Sequence, residues 1–138
     1  MTSDDRKITA NFPHKTLTPI VGMPTYETIK DLHDKLSENA CMVHSNLGNG
    51  KLGYLGITVK PEVYNTLSNV AFVTPPNPGP TPVFPNDATG PQIANIRVIF
   101  AEEAQKFSTY MAVSSAIAAL IVSAIDPVYL AALRQPYI

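Results

Sequence analysis

Cys41 and His44 come closest to reactive chemistry in this chain. Three positions apart on an expected helix, they would share a face, near enough for a thiol and its base or for two metal ligands. No third ligand joins them: His33 precedes Cys41 by eight residues, about 12 Å along a helix axis, outside one coordination sphere. His14 lies in a proline-punctuated arm, and no carboxylate near Cys41 is spaced to orient His44. The expectation is a small buried cysteine beside a surface histidine, with no catalytic residue, no metal and no cofactor. Carboxylate pairs offer no more, because adjacent Glu102 and Glu103 point in different directions on a helix and Asp4 and Asp5 sit in a polar leader.

Gly48-Asn49-Gly50-Lys51-Leu52-Gly53 spells GxGxxG, the letters of a dinucleotide loop. That loop needs a strand before it and a helix opening at its third glycine, so that the helix N-terminus meets a phosphate. Here a helix is expected before it, and the next helix begins only at Pro61. Lys51 is also out of place for a P-loop. Nucleotide binding is not expected.

The elements around these residues read as mainly α. Residues 1–24 form an extended arm, polar and then interrupted by Pro13, Pro19 and Pro24, with Phe12, Leu17, Ile20 and Val21 as apolar points for a partner's surface or for the arm's own domain. A helix is predicted from about Thr25 to Val43, with Thr25 as N-cap, Glu27 in the first turn and an apolar stripe of Ile29, Leu32, Leu36, Ala40 and Val43. Its other face carries Lys30/Asp34 and Asp31/Lys35 at i,i+4, a solvated surface. After the glycine-rich loop, alternating Leu55, Ile57 and Val59 allow a short extended piece, and Pro61 opens a short helix to about Asn69.

Between about 74 and 91, seven prolines preclude helix and favour polyproline II, giving a stiff strap. A ligand for a proline-reading domain is the sharper reading of this segment, and a linker the plainer one. A long helix from about Pro91 to Ala124, some 50 Å at 1.5 Å per residue, carries the core. Ile93, Ile96, Phe100, Ala104, Phe107, Met111, Ser114, Ala118, Ile121 and Ile125 keep its three-four spacing. From Met111 to Ile125 nearly every face is apolar or small, so this portion is expected to be buried all round, within the fold or against another chain. Asp126-Pro127 stops it and opens a last short helix over 128–134. The domain reading is thus an arm over 1–24 and one small helical domain over 25–138 with its strap inside.

Composition narrows the partners. A chain of 138 residues, 45% hydrophobic, suits one cored domain. A formal charge of −1 provides no basic field for nucleic acid or an anionic membrane. One cysteine excludes an intrachain disulfide and suits a reducing compartment; with no apolar h-region at the start, an intracellular, cytoplasmic protein is expected. The apolar run of about fifteen residues from Met111 falls short of the roughly twenty of a bilayer span, so no membrane span is expected.

Three collinear stretches resemble the N-terminal, capsid-like region of Gag-like polyproteins of copia-type LTR retrotransposons. They are Phe12-Pro13-His14-Lys15 with Leu17-Thr18-Pro19; the loop from Ser45 through Gly48-Asn49-Gly50 to Gly53-Tyr54-Leu55, followed by Val70-Ala71-Phe72-Val73, Pro75 and Asn77-Pro78; and Ile125-Asp126-Pro127-Val128-Tyr129-Leu130-Ala131-Ala132-Leu133. Where that family often carries a histidine-rich loop, this chain has Asn49, Leu52 and Tyr54. The resemblance implies a non-catalytic, self-associating helical protein of particles formed around RNA, present here either as a piece of a polyprotein or as a stand-alone derivative without the zinc knuckle. The expected partners are further copies of the chain or other protein subunits. The expected interface comprises Phe12, Leu17, Ile20, Val83, Phe84, Met111, Ile117, Leu120 and Ile121. An accessory subunit that wraps a partner in a larger complex is the alternative.

Overall fold

The computed structural model describes residues 7–129. They are mainly helical, with no strand among the described residues. Three α-helices account for most of the order: α1 (Tyr26–Cys41), α2 (Pro61–Leu67) and α3 (Gly90–Ala124). The expected last helix lies mostly outside the described residues, of which 127–129 are helical.

Local chemistry sets the helix ends. At α1 the Thr28 N–H donates to Thr25 Oγ1 at 3.2 Å, and the Thr25 N–H donates to Thr28 Oγ1 at 2.8 Å, a reciprocal cap of two otherwise orphaned donors. At α3, Thr89 and Gln92 repeat the device, with Thr89 N–H to Gln92 Oε1 at 2.9 Å and Gln92 N–H to Thr89 Oγ1 at 3.3 Å. Past Ala124, Asp126 takes over the chain: its Oδ1 accepts from the Val128 N–H at 2.9 Å and its carbonyl from the Tyr129 N–H at 3.0 Å. The alternation of Leu55, Ile57 and Val59 yields no extended piece. Residues Leu55–Ile57 form a 3-10 turn, held by the Thr58 N–H on the Leu55 carbonyl at 3.0 Å.

The chain divides into two compact units, Met1–Val73 with Ala112–Ile138, and Thr74–Met111.

In the first unit the buried side chains include Phe12, Leu32, Leu36, Ala40, Tyr54, Leu55, Tyr64, Val113, Ile117 and Leu120. The rings of Tyr64 and Phe72 meet edge-on, with centroids 5.5 Å apart. The last turns of α3 bury Ala112, Val113, Ala116, Ile117, Leu120 and Ala124 along one stripe. Ser115, Ala118, Ala119 and Val122 on the opposite side are exposed. Within this chain the portion is buried along one face only, and the opposite face is open, so burial all round is not reached inside the fold itself.

In the second unit, residues 74–85 run without helix or strand into the capped start of α3. The Arg97 guanidinium lies over the Phe84 ring, 5.2 Å from its centroid.

Candidate functional site

Neither sequence candidate for chemistry assembles. Cys41 is the last residue of α1, and Met42 is already the C-cap. His44 therefore lies beyond the helix and is exposed, so the shared face that would join it to Cys41 does not exist. Burial, and then the carboxylate of Glu38, push the Cys41 thiol above its ordinary value, the opposite of what a nucleophile needs. The other two histidines hold the fold together. His14 Nε2 contacts Glu38 Oε2, and His33 Nε2 meets the Thr58 carbonyl at 2.7 Å. Among the described residues, no group of three or more His, Cys, Asp or Glu could hold a metal ion.

The glycine-rich loop packs over the end of α1. Gly53 has φ +55°, and a Cβ there would lie 2.6 to 2.7 Å from the carbonyls of Val43, Ala40 and Cys41. Only glycine lets the loop cross these chain-end acceptors so closely, and the next N–H, of Tyr54, donates to the Ala40 carbonyl at 2.9 Å. A Cβ at Gly48, where φ is +60°, would collide with the Tyr64 hydroxyl. The loop donors are also spent internally: Leu47 N–H on Ser45 Oγ at 2.9 Å, Gly50 N–H on the Leu47 carbonyl at 3.1 Å and Lys51 N–H on Asn49 Oδ1 at 2.9 Å. The spacing that spells a phosphate loop is used to close a helix. Burial also raises the Tyr54 hydroxyl above its ordinary value, against a lowering by its hydrogen bond with Ser45.

What the fold builds instead are surfaces. The arm folds back on its own unit. The Asn39 side chain, fully buried on α1, accepts from the His14 N–H at 2.9 Å and donates to the His14 carbonyl at 3.0 Å. Further on, the Ile20 N–H donates to the Ala124 carbonyl at 2.7 Å, serving one of the free acceptors at the end of α3. Between these anchors, arm residues 17–21 and the α1 residues Glu27, Asp31, Leu32 and Lys35 line an open cleft of about 330 Å³. Asn39 is the residue the apolar stripe missed. Its place among Leu32, Leu36 and Ala40 on one helical face was the available clue, since a buried amide must find partners.

The expected interface residues separate into groups. Phe12 (2% exposed), Ile117 and Leu120 are buried in the chain's own core and present no surface to another molecule. Leu17, Ile20, Phe84 and Ile121 are half-buried. Val83 and Met111 are exposed, Val83 almost fully at 94%.

A second exposed set was not anticipated. At the end of α3, Val122 is 61% exposed on the face shared with Ala118 and Ser115, and Val128 follows four residues beyond Ala124, also exposed. Val21, next to the residue bonded to Ala124, is 95% exposed. Exposed Ser115, Ala118, Ala119 and Val122 at three-four spacing, with apolar neighbours at the helix end, form a mostly apolar face. By length and composition α3 is also long and apolar enough to cross a membrane, with 22% of its apolar window buried.

No protein-family model, curated protein or solved structure matches the chain.

Proposed function

We propose that this chain is a non-catalytic structural protein of the Gag-like, capsid type, acting inside the cell by self-association through the exposed apolar end of α3. The observation that carries this reading is the uncovered face of Ser115, Ala118, Ala119 and Val122, opposite a stripe that fills the chain's own core. Burying such a face returns about 25 cal/mol for each Å² of apolar surface removed from water, and a second copy offers the same face by symmetry. The reading is also supported by the raised Cys41 thiol, a poor nucleophile, and by the histidines committed to the fold.

The alternative, an accessory subunit wrapping a partner with its arm, is less well supported. The arm is anchored through His14 and Ile20 and buries Phe12 within its own unit.

Light-scattering chromatography at several concentrations tests the proposal, with Ala118→Glu and Val122→Asp as variants. Concentration-dependent growth in mass that both variants abolish is the expected result. A monomer at every concentration, or assemblies indifferent to both substitutions, would remove the α3 face from the account. Flotation with liposomes separates the membrane reading, since a contact face between copies leaves the chain in the aqueous fraction.

A further inference from the structure

We propose that residues 80–85 and Arg97 form a composite docking epitope for a protein module that reads polyproline II through an aromatic-lined groove with an acidic flank. Pro80-Thr81-Pro82-Val83-Phe84-Pro85 contains two X-Pro dipeptides, Thr81-Pro82 and Phe84-Pro85, three residues apart. One turn of polyproline II is three residues, so both dipeptides fall on the same edge, the spacing that adjacent grooves between aromatic rings accept.

The backbone is committed to that form in advance. Three of the six residues are prolines with φ fixed, and Thr81 and Phe84 are held extended by the proline that follows each. The segment adopts neither helix nor strand. Among the described residues, the hydrogen bonds of 74–85 are local: the Gly79 N–H on Asn77 Oδ1 at 2.9 Å, and the Pro85 carbonyl accepting from Ala88 at 3.1 Å. Pro80, Thr81, Val83 and Pro85 are exposed, and Pro82 is half-buried. A partner would meet a ready-made ridge and order little of it on binding.

The cation comes from tertiary structure. Modules of this kind fix the direction of a short, pseudosymmetric ligand by pairing an acidic group with a basic one beside the prolines. In sequence, residues 74–96 hold no Lys or Arg, and the nearest basic residue after Pro85 is Arg97. The first turns of α3 bring it back, and its guanidinium stacks over Phe84 within the second X-Pro dipeptide. Arg97 is itself exposed. Lying over the ring and exposed to solvent, the guanidinium keeps donors able to take a carboxylate.

Purified SH3 domains covering both ligand orientations are the probe, titrated against the full chain by calorimetry, with the footprint mapped by NMR shift changes. At least one domain should bind with Kd of about 100 μM or tighter, in the range of small transient contacts, and shift 80–85 and the Arg97 side chain. Replacing Pro82→Ala together with Pro85→Ala should weaken it about tenfold or more, and Arg97→Glu about fivefold with loss of its salt dependence. The far-ultraviolet circular dichroism of each variant should match that of the parent. Binding by no domain at millimolar concentration, a footprint elsewhere, or full affinity in the double proline variant would overturn the proposal. Full affinity in Arg97→Glu would overturn its composite form. Self-association through α3 is read by mass, so either proposal can fail while the other stands.

Discussion

The arm and the strap are both proline-punctuated, yet among the described residues the arm is hydrogen-bonded to helices of its own unit, whereas the strap's hydrogen bonds are local. The arm keeps non-proline residues between its prolines, and two of their N–H groups reach fixed acceptors: that of His14 on Asn39 and that of Ile20 on the Ala124 carbonyl. With Phe12 buried ahead of them, the three attachments make the arm part of the core. The strap has fewer donors to offer, since prolines at 75, 76, 78, 80, 82 and 85 remove half of those between 74 and 85. Proline density therefore decides more than backbone shape. It decides whether an extended segment can be hydrogen-bonded into its own fold or is left available to something else.

Breaking the arm should cost far more than breaking the strap. Phe12→Ala should destabilise the chain by about 3 to 4 kcal/mol in denaturant melts, whereas Phe84→Ala, half-buried and stacked under one guanidinium, should cost about 1 kcal/mol. Equal losses would mean the strap is as integral as the arm. Next comes the base on which the arm rests: Gly53→Ala forces a side chain into the left-handed region against three carbonyls and should lower stability by roughly 2 to 3 kcal/mol.

Asn39→Ala removes both hydrogen bonds to His14 and should cost about 2 kcal/mol. It should also speed limited proteolysis around residues 13–20 while leaving cleavage near the strap unchanged.

The smallest effect sharpens the same contrast through Cys41, which lines an open hollow with Pro13 of the arm and Glu38 and Met42. Burial raises this thiol above its ordinary 9.0, so the folded state favours the neutral form. The stability that this contributes is complete below that value and is lost as pH rises through the higher folded pKa. Melting temperature should therefore fall slightly more steeply above about pH 9 in the parent than in Cys41→Ala. At pH 8, iodoacetamide should label Cys41 more slowly than a free thiol, and Asn39→Ala should return the rate toward the free-thiol value.

The limits of α1, α2 and α3 were legible in the residues to within two positions, because the devices that set them are local. Thr25 with Thr28, Thr89 with Gln92, Pro61 at a helix start and Asp126-Pro127 at a helix end act over three or four positions. The two misread pieces are short: residues 7–9, a helical turn inside a segment read as extended, and Leu55 to Val59, short enough for alternation and a 3-10 turn to share the same letters.

Tertiary structure alone decided which apolar residues face inward. Phe12, Ile117 and Leu120 are buried while Val21, Val83 and Val122 are not, although all six are equally apolar on the page. It also decided that Asn39 fastens the arm, that Gly53 crosses the end of α1, and that Arg97 lies over Phe84. Each of these joins residues twelve or more positions apart or selects one face of a helix whose sides are alike, and neither relation is carried by periodicity or by nearest neighbours.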